Sequence, residues 1–282
     1  MHTKYGEIRS FWGVALGLLA MFVGGILGML APMSLFGVRE LIELVVLMGA
    51  FTLVYRGRPR DLGLHRKGAF RCLALGSGLA LVQMTLMWIV LTISGNATFS
   101  SDWTTIGRAS IWLALGQFFL VGLYEETFTR GYFMTVLKPS RNLLVIMVVP
   151  ALLFGLMHAA NPGASPLAVL NISLDGLCMG YALIRTGSLW LPVGAHAIWN
   201  FLEGSVFGFP VSGITLSSVM QTTVQGPVWI TGGSFGPEGG IITTVAELLG
   251  FLFIAVVVPK AATPVWRFDR GFPLIEHIPA TV

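Results

Sequence analysis

Eight apolar runs, each roughly as long as a bilayer is thick, divide this chain: 11–31, 37–55, 72–94, 111–137, 143–160, 167–184, 189–208 and 241–258. A helix needs about 20 mostly apolar residues to cross the hydrocarbon layer. In that layer every backbone polar group must find its partner inside the protein, and helices are the local way of doing so. A chain with this pattern has little choice but a helix bundle. Composition agrees: 55% of the 282 residues are hydrophobic and 11% charged, against about 25% charged in an ordinary soluble domain. The predicted fold class is an all-α membrane protein, a bundle of about eight transmembrane helices forming one polytopic domain over residues 1–282.

The first run is longer than the 7–15 apolar residues of a signal peptide, so it reads as an uncleaved span. Gly17, Gly24, Gly25 and Gly28 within it suit close helix packing. Arg39, Glu40 and Glu43 open the second span, where an interface is expected. Asn161-Pro162-Gly163 marks a turn after the fifth span, and Pro150 is expected to kink that span. Two cysteines, Cys72 and Cys178, form neither a zinc pattern nor a disulfide framework, and read as small packing residues. The linker 210–240 is rich in Gly, Ser and Thr, without Lys or Arg, and suggests no role.

The net charge of +4 would point to a nucleic-acid partner in a soluble protein. Here it follows the positive-inside rule, by which Lys and Arg mark short cytoplasmic loops; the expected partner is the lipid bilayer, not nucleic acid. With the N-terminus inside, one side receives Lys4, Arg9, the loop charges Arg56, Arg58, Arg60, Arg66, Lys67 and Arg71, then Lys138, Arg141, Arg185, Lys260, Arg267 and Arg270. The other side receives Arg39 and Arg108. The bias is fourteen to two, which predicts a multi-pass protein with both termini cytoplasmic.

Within the fourth run stands Tyr124-Glu125-Glu126-Thr127-Phe128-Thr129-Arg130-Gly131. A charge at the centre of a membrane helix costs roughly 2.5–3.5 kcal/mol on insertion scales, and intramembrane ionisable residues point to function. Glu126 and Arg130 are four apart and share a helix face. Glu125 is turned about 100° away, which leaves it available for chemistry; a purely structural charge cluster is the plain alternative. Two further runs carry polar groups: Phe154-Gly155-Leu156-Met157-His158, and His196 with Asn200 on one face of the seventh span, Glu203 following nearby. A single histidine in an apolar helix is usually a packing residue. A carboxylate, an imidazole, and an imidazole with an amide on three helices can together activate water and stabilise an oxyanion.

Glu-Glu-x-x-x-Arg, then Phe-x-x-x-His, then His-x-x-x-Asn, each in an apolar helix, resembles the CAAX protease and bacteriocin-processing family, the type II CAAX prenyl endopeptidases and their bacterial relatives. Thr186-Gly187-Ser188-Leu189-Trp190 leading into Pro192 and His196 is also similar. The resemblance covers about 85 residues, roughly 120–203. It implies a polar intramembrane cavity open to the cytoplasm, a catalytic core at about 109–207, and hydrolysis of a peptide bond in a membrane-anchored or lipidated protein or peptide, CAAX-type C-termini included. By similarity Glu125 and His158 would activate the attacking water, His196 and Asn200 would hold the oxyanion, and Glu126, Arg130 and Phe154 would support them.

The family was long described as metalloproteases, and the H-E-x-x-H signature is absent here. A metal-independent glutamate mechanism, without a cofactor, is the favoured expectation. If zinc binds, His158, His196 and Glu125 are the expected ligands. Two other functions compete: a non-catalytic scaffold or bacteriocin-immunity protein on the same fold, and a transporter using the charges as an ion site. Intact motifs favour the enzyme, and no paired broken-helix repeat favours the transporter. On this topology His158 falls near the outer end of its span and His196 nearer the inner end of its own, so their meeting needs the tertiary structure.

Overall fold

A computed structural model describes residues 10–260 except Arg141, together with two short strands further on. The expectations placed on Lys4, Arg9, Arg141, Arg270, the side chain of Arg267 and the chain termini lie outside the described residues. The chain is predominantly helical: α1 (Ser10–Gly28), α2 (Phe36–Tyr55), α3 (Ala69–Ile93), α4 (Ala109–Glu126), α5 (Met134–Leu137), α6 (Leu143–Met157), α7 (Pro166–Thr186), α8 (Trp190–Asn200), α9 (Val228–Thr231) and α10 (Ile241–Val256). By length and composition α1, α3 and α7 suffice to cross a membrane; α6 and α10 are shorter apolar helices. Many large apolar side chains point outward, among them Phe11, Phe22, Leu53, Phe70, Ile93 and Leu144. A water-soluble fold would not display so much apolar surface; lipid accommodates it.

Local chemistry sets the helix ends. The Asn142 side chain accepts from Leu144 N at 3.0 Å to start α6. Ser165 accepts from Ala168 N at 3.1 Å, with Pro166 in the first turn of α7. Gly187, at φ 68°, ends α7 in the left-handed region. Pro150 lies inside α6.

Close approaches rely on glycine. In α1 the buried stripe is Gly13, Gly17, Ala20, Gly24 and Gly28; Gly17 meets Tyr132, and Gly24 and Gly28 meet Glu43 and Arg39 of α2. Gly25 is off this stripe. Gly76 of α3 lies against the backbone of Leu191, and Gly194 of α8 against the backbone of Leu73, so these two helices pack almost backbone to backbone. Cys178 is buried and Cys72 half-buried, and both are free thiols.

Two short strand pairs accompany the helices. β1 (Ala97–Ser101) and β2 (Met220–Val224) pair antiparallel, Ala97 opposite Val224 and Ser101 opposite Met220. A second small pair joins β3 (Arg267–Asp269) to β4 (Phe272–Leu274). Thr, Phe and Val suit strands, and these segments lie outside the apolar runs, where extended backbone can pair.

The links between helices gather on two opposite ends of the bundle. At one end Leu189 N donates to Gly63 O at 3.0 Å, the Trp190 indole donates to His65 O at 2.9 Å, and the Arg185 guanidinium donates to Val258 O at 2.6 Å. The start of α1 joins this end, since the Tyr132 hydroxyl donates to Gly13 O at 2.9 Å. At the other end Asn161 donates to Ser212 O at 3.1 Å, Asp102 N donates to Val219 O at 2.9 Å, and β1 pairs with β2. The linker 210–240, without a role in sequence, is thus a packed roof over that end.

Candidate active site

Two helices change pitch where the charged motifs stand. After Glu125-Glu126, residues Thr127–Phe133 form wide π turns before α5, and after Asn200 the same happens over Phe201–Val206. Such turns occur often at functional sites, because they re-aim side chains within a continuous helix. All of Thr127–Phe133 is buried.

Arg130 is the hub of the buried charges. Its Nη1 donates to Glu126 Oε1 at 2.9 Å and to Thr129 Oγ1 at 2.9 Å, and its Nη2 donates to Asp175 Oδ2 at 2.8 Å. The guanidinium also lies 4.1 Å over the centre of the Phe154 ring, a cation–π contact strengthened where water is excluded. The pair expected from the spacing of Glu126 and Arg130 is present, and both partners are almost wholly buried. It is not isolated, because Glu126 Oε1 also lies 2.9 Å from His196 Nδ1. A carboxylate only accepts, so Nδ1 carries a proton in this contact and Nε2 is left for other work.

Glu125 behaves differently. Its Oε2 is buried without a hydrogen-bond partner among the described residues and lies 3.7 Å from His196 Nε2. That is too long for a direct hydrogen bond and leaves the two groups as neighbours on one wall. His158 Nδ1 donates to Phe154 O at 2.9 Å, which orients its ring and leaves Nε2 as the acceptor. The Phe154 ring lies edge-on to both imidazoles, 5.0 Å from His158 and 6.0 Å from His196 between centroids. Phe154 thereby touches Arg130 and both histidines.

Glu125, Phe154, His158, His196 and Asn200 all line one cavity of about 680 Å³, within the usual range for ligand sites. The fold thus brings together the two histidines that seemed to stand at different depths. Glu126 and Arg130 lie behind the wall. Glu203, read in sequence as near the face of His196 and Asn200, is fully buried and does not line the cavity.

Sequence reasoning missed several wall residues: Glu40 of α2, Asp175 of α7, Glu247 of α10, and Ser212 with Glu238 from the roof. Glu238 Oε2 accepts from Ser212 N at 2.9 Å and from its hydroxyl at 2.6 Å. The signal was available for Asp175 and Glu247, since each is an acid inside an apolar helix, the criterion that singled out Glu125. Glu40 was assigned to the interface. No pattern in the sequence could bring the roof to the site.

Glu125, His158 and His196 are of the right types for zinc. Among the described residues, however, no group of three or more His, Cys, Asp or Glu side chains is gathered to hold a metal ion.

A half-buried carboxylate, two imidazoles and an amide thus line one cavity within an apolar helix bundle. Residues 107–202, a stretch that holds all three motifs, match the family described as type II CAAX prenyl endopeptidase, Rce1-like. An uncharacterized protein of Bacillus subtilis (strain 168), YyaK, is 29% identical over 133 residues. The match covers 42% of this chain and 42% of that protein. No solved structure matches the chain.

Proposed function

We propose that the chain is an intramembrane endopeptidase that cleaves a peptide bond in a membrane-anchored protein or peptide, lipidated substrates being one class. It would do so as a multi-pass bundle of about eight spans with its basic loops in the cytoplasm. The observation that carries this reading is the Glu125 carboxylate: half-buried, with its buried Oε2 unpartnered among the described residues, on a cavity wall shared with His158, His196 and Asn200.

In this reading Glu125 takes a proton from water as the water attacks the scissile carbonyl, and His158 Nε2 helps to orient that water. The carbonyl oxygen becomes the oxyanion, held by His196 Nε2–H and the Asn200 amide. Glu125 then returns the proton to the departing amine, and the carbon–nitrogen bond breaks. Glu126, held by Arg130, fixes the His196 ring; His196 enters the reaction as the imidazolium, Nδ1–H on Glu126 and Nε2–H ready for the oxyanion, and keeps both protons throughout. Proximity inside a water-poor cavity strengthens each of these contacts.

The test is the purified protein in lipid, incubated with membrane-anchored and prenylated peptides and read by mass spectrometry. Glu125→Gln keeps shape but cannot take a proton, so turnover should fall at least about a hundredfold, as for loss of a general base, with folding intact. Asn200→Ala should cost on the order of 10²–10³. Dialysis against a chelator, followed by metal analysis, separates this mechanism from a zinc-dependent one. Equal cleavage by wild type and Glu125→Gln, with Glu126→Gln inactive, would exchange the roles of the two carboxylates. If neither variant changes any cellular phenotype, the scaffold reading takes its place.

A further inference from the structure

The two ends of the bundle differ in charge, and the cavity reaches only one of them. The end built from the 56–68 loop, the 187–190 turn, the link after α5 and the tip of α10 carries Arg56, Arg58, Arg60, Arg66, Lys67, Arg71, Lys138, Arg185 and Lys260. The roofed end carries Arg39 and Arg108. Among described residues the bias is nine to two. The loop residues on the cavity wall all belong to the roofed end: Met29 and Pro32 between α1 and α2, Asn161 after α6, and Ser212, Ile214 and Glu238 of the roof. Met29 and Ile214 are exposed, at 76% and 56%, and mark the mouth. Among the described residues, none of the basic end lines the cavity.

Cytoplasmic basic loops and a cavity open to the cytoplasm are therefore incompatible in this molecule. The positive-inside rule is strongest for short, Lys- and Arg-rich loops next to spans, which describes the 56–71 segment. The opposite choice would place nine cations outside and two inside. We infer that the site is entered from the extracytoplasmic side, and that its substrate is an outward-facing segment of a membrane-anchored polypeptide, not a lipidated C-terminus in the cytoplasm.

The substrate half rests on the protease reading above; the sidedness does not. Depth agrees with it. Asp175 and Glu247 lie in the halves of α7 and α10 nearer the roofed end, so the polar wall deepens from that end. Glu247 is 95% buried on the cavity wall, and its Oε2 has no partner among the described residues, so a polar acceptor awaits whatever enters.

Single cysteines decide the matter in intact cells treated with a membrane-impermeant maleimide. Ile214→Cys and Ser100→Cys should label from outside. Arg58→Cys and Arg66→Cys should label only after permeabilisation, with the wild-type thiols as background. The reverse pattern overturns the inference, and so does labelling of all four, or of none, before permeabilisation. Labelling needs no activity, so it stands apart from the failure of the enzyme reading. For the substrate, peptides released by wild-type cells but not by Glu125→Gln cells should appear in the extracytoplasmic fraction. Their recovery in the cytosol alone would overturn the substrate class. Their absence from both fractions would instead count against the protease reading and leave the labelling result to judge the side of entry.

Discussion

Arg130 organises the buried charges, and its worth can be measured. It faces two carboxylates, Glu126 and Asp175, and the face of Phe154. Removing one partner of a buried ion pair leaves an uncompensated charge, at a cost of roughly 3–5 kcal/mol. Arg130→Ala should therefore lower the melting temperature in detergent, read by thermal unfolding. Arg130→Lys should fall between, because an ammonium keeps the charge but not the planar fork that reaches both acids. Asp175→Asn, which leaves Arg130 its contact with Glu126, should destabilise less than Arg130→Ala. Unchanged melting with lost cleavage would instead make Arg130 a group that touches substrate. The spacing of four between Glu126 and Arg130 was readable in the chain, because helix periodicity alone decides it. Asp175 was not paired with Arg130 in sequence, since the contact joins the π turns after α4 to α7 across 45 positions.

At the scale of elements, the position of His196 depends on how α8 lies on α3. A Cβ on Gly76 would meet the carbonyl oxygen of Leu191, which is backbone and cannot rotate aside, whereas one on Gly78 of the same helix meets nothing within 4 Å. Gly76→Ala should push α8 outward, cost about 1–3 kcal/mol as an overpacked contact, and reduce cleavage by moving His196 and Asn200. Gly78→Ala should change neither; thermal unfolding and turnover of the two variants, side by side, check this. Equal behaviour would mean that the helices are not packed as closely as described. The π turns after Glu126 and after Asn200 belong to this scale too. They arise where two helices present polar groups to a common centre, and no sequence spacing announces them.

For the whole molecule, the distribution of Lys and Arg should be the orienting device. Replacing Arg58, Arg60, Arg66 and Lys67 by Gln removes four of the nine described cations of that end and should give a mixed population, in which Ile214→Cys is only partly labelled from outside. A fully labelled population would show that these four charges do not set the orientation. The chain by itself determined that this is an apolar, helical, membrane-embedded protein, where most of its helices run, and which of its polar residues break the apolar pattern. Those properties follow from local periodicity and from the high cost of placing charge in hydrocarbon, both of which are written in neighbouring residues. Only the tertiary structure decided that His158 and His196 share a cavity, that Asp175, Glu238 and Glu247 join its wall, that the 210–240 linker roofs it, and that its mouth lies opposite the basic loops. These depend on contacts between segments far apart in the chain, where packing geometry, and no local pattern, selects the neighbours.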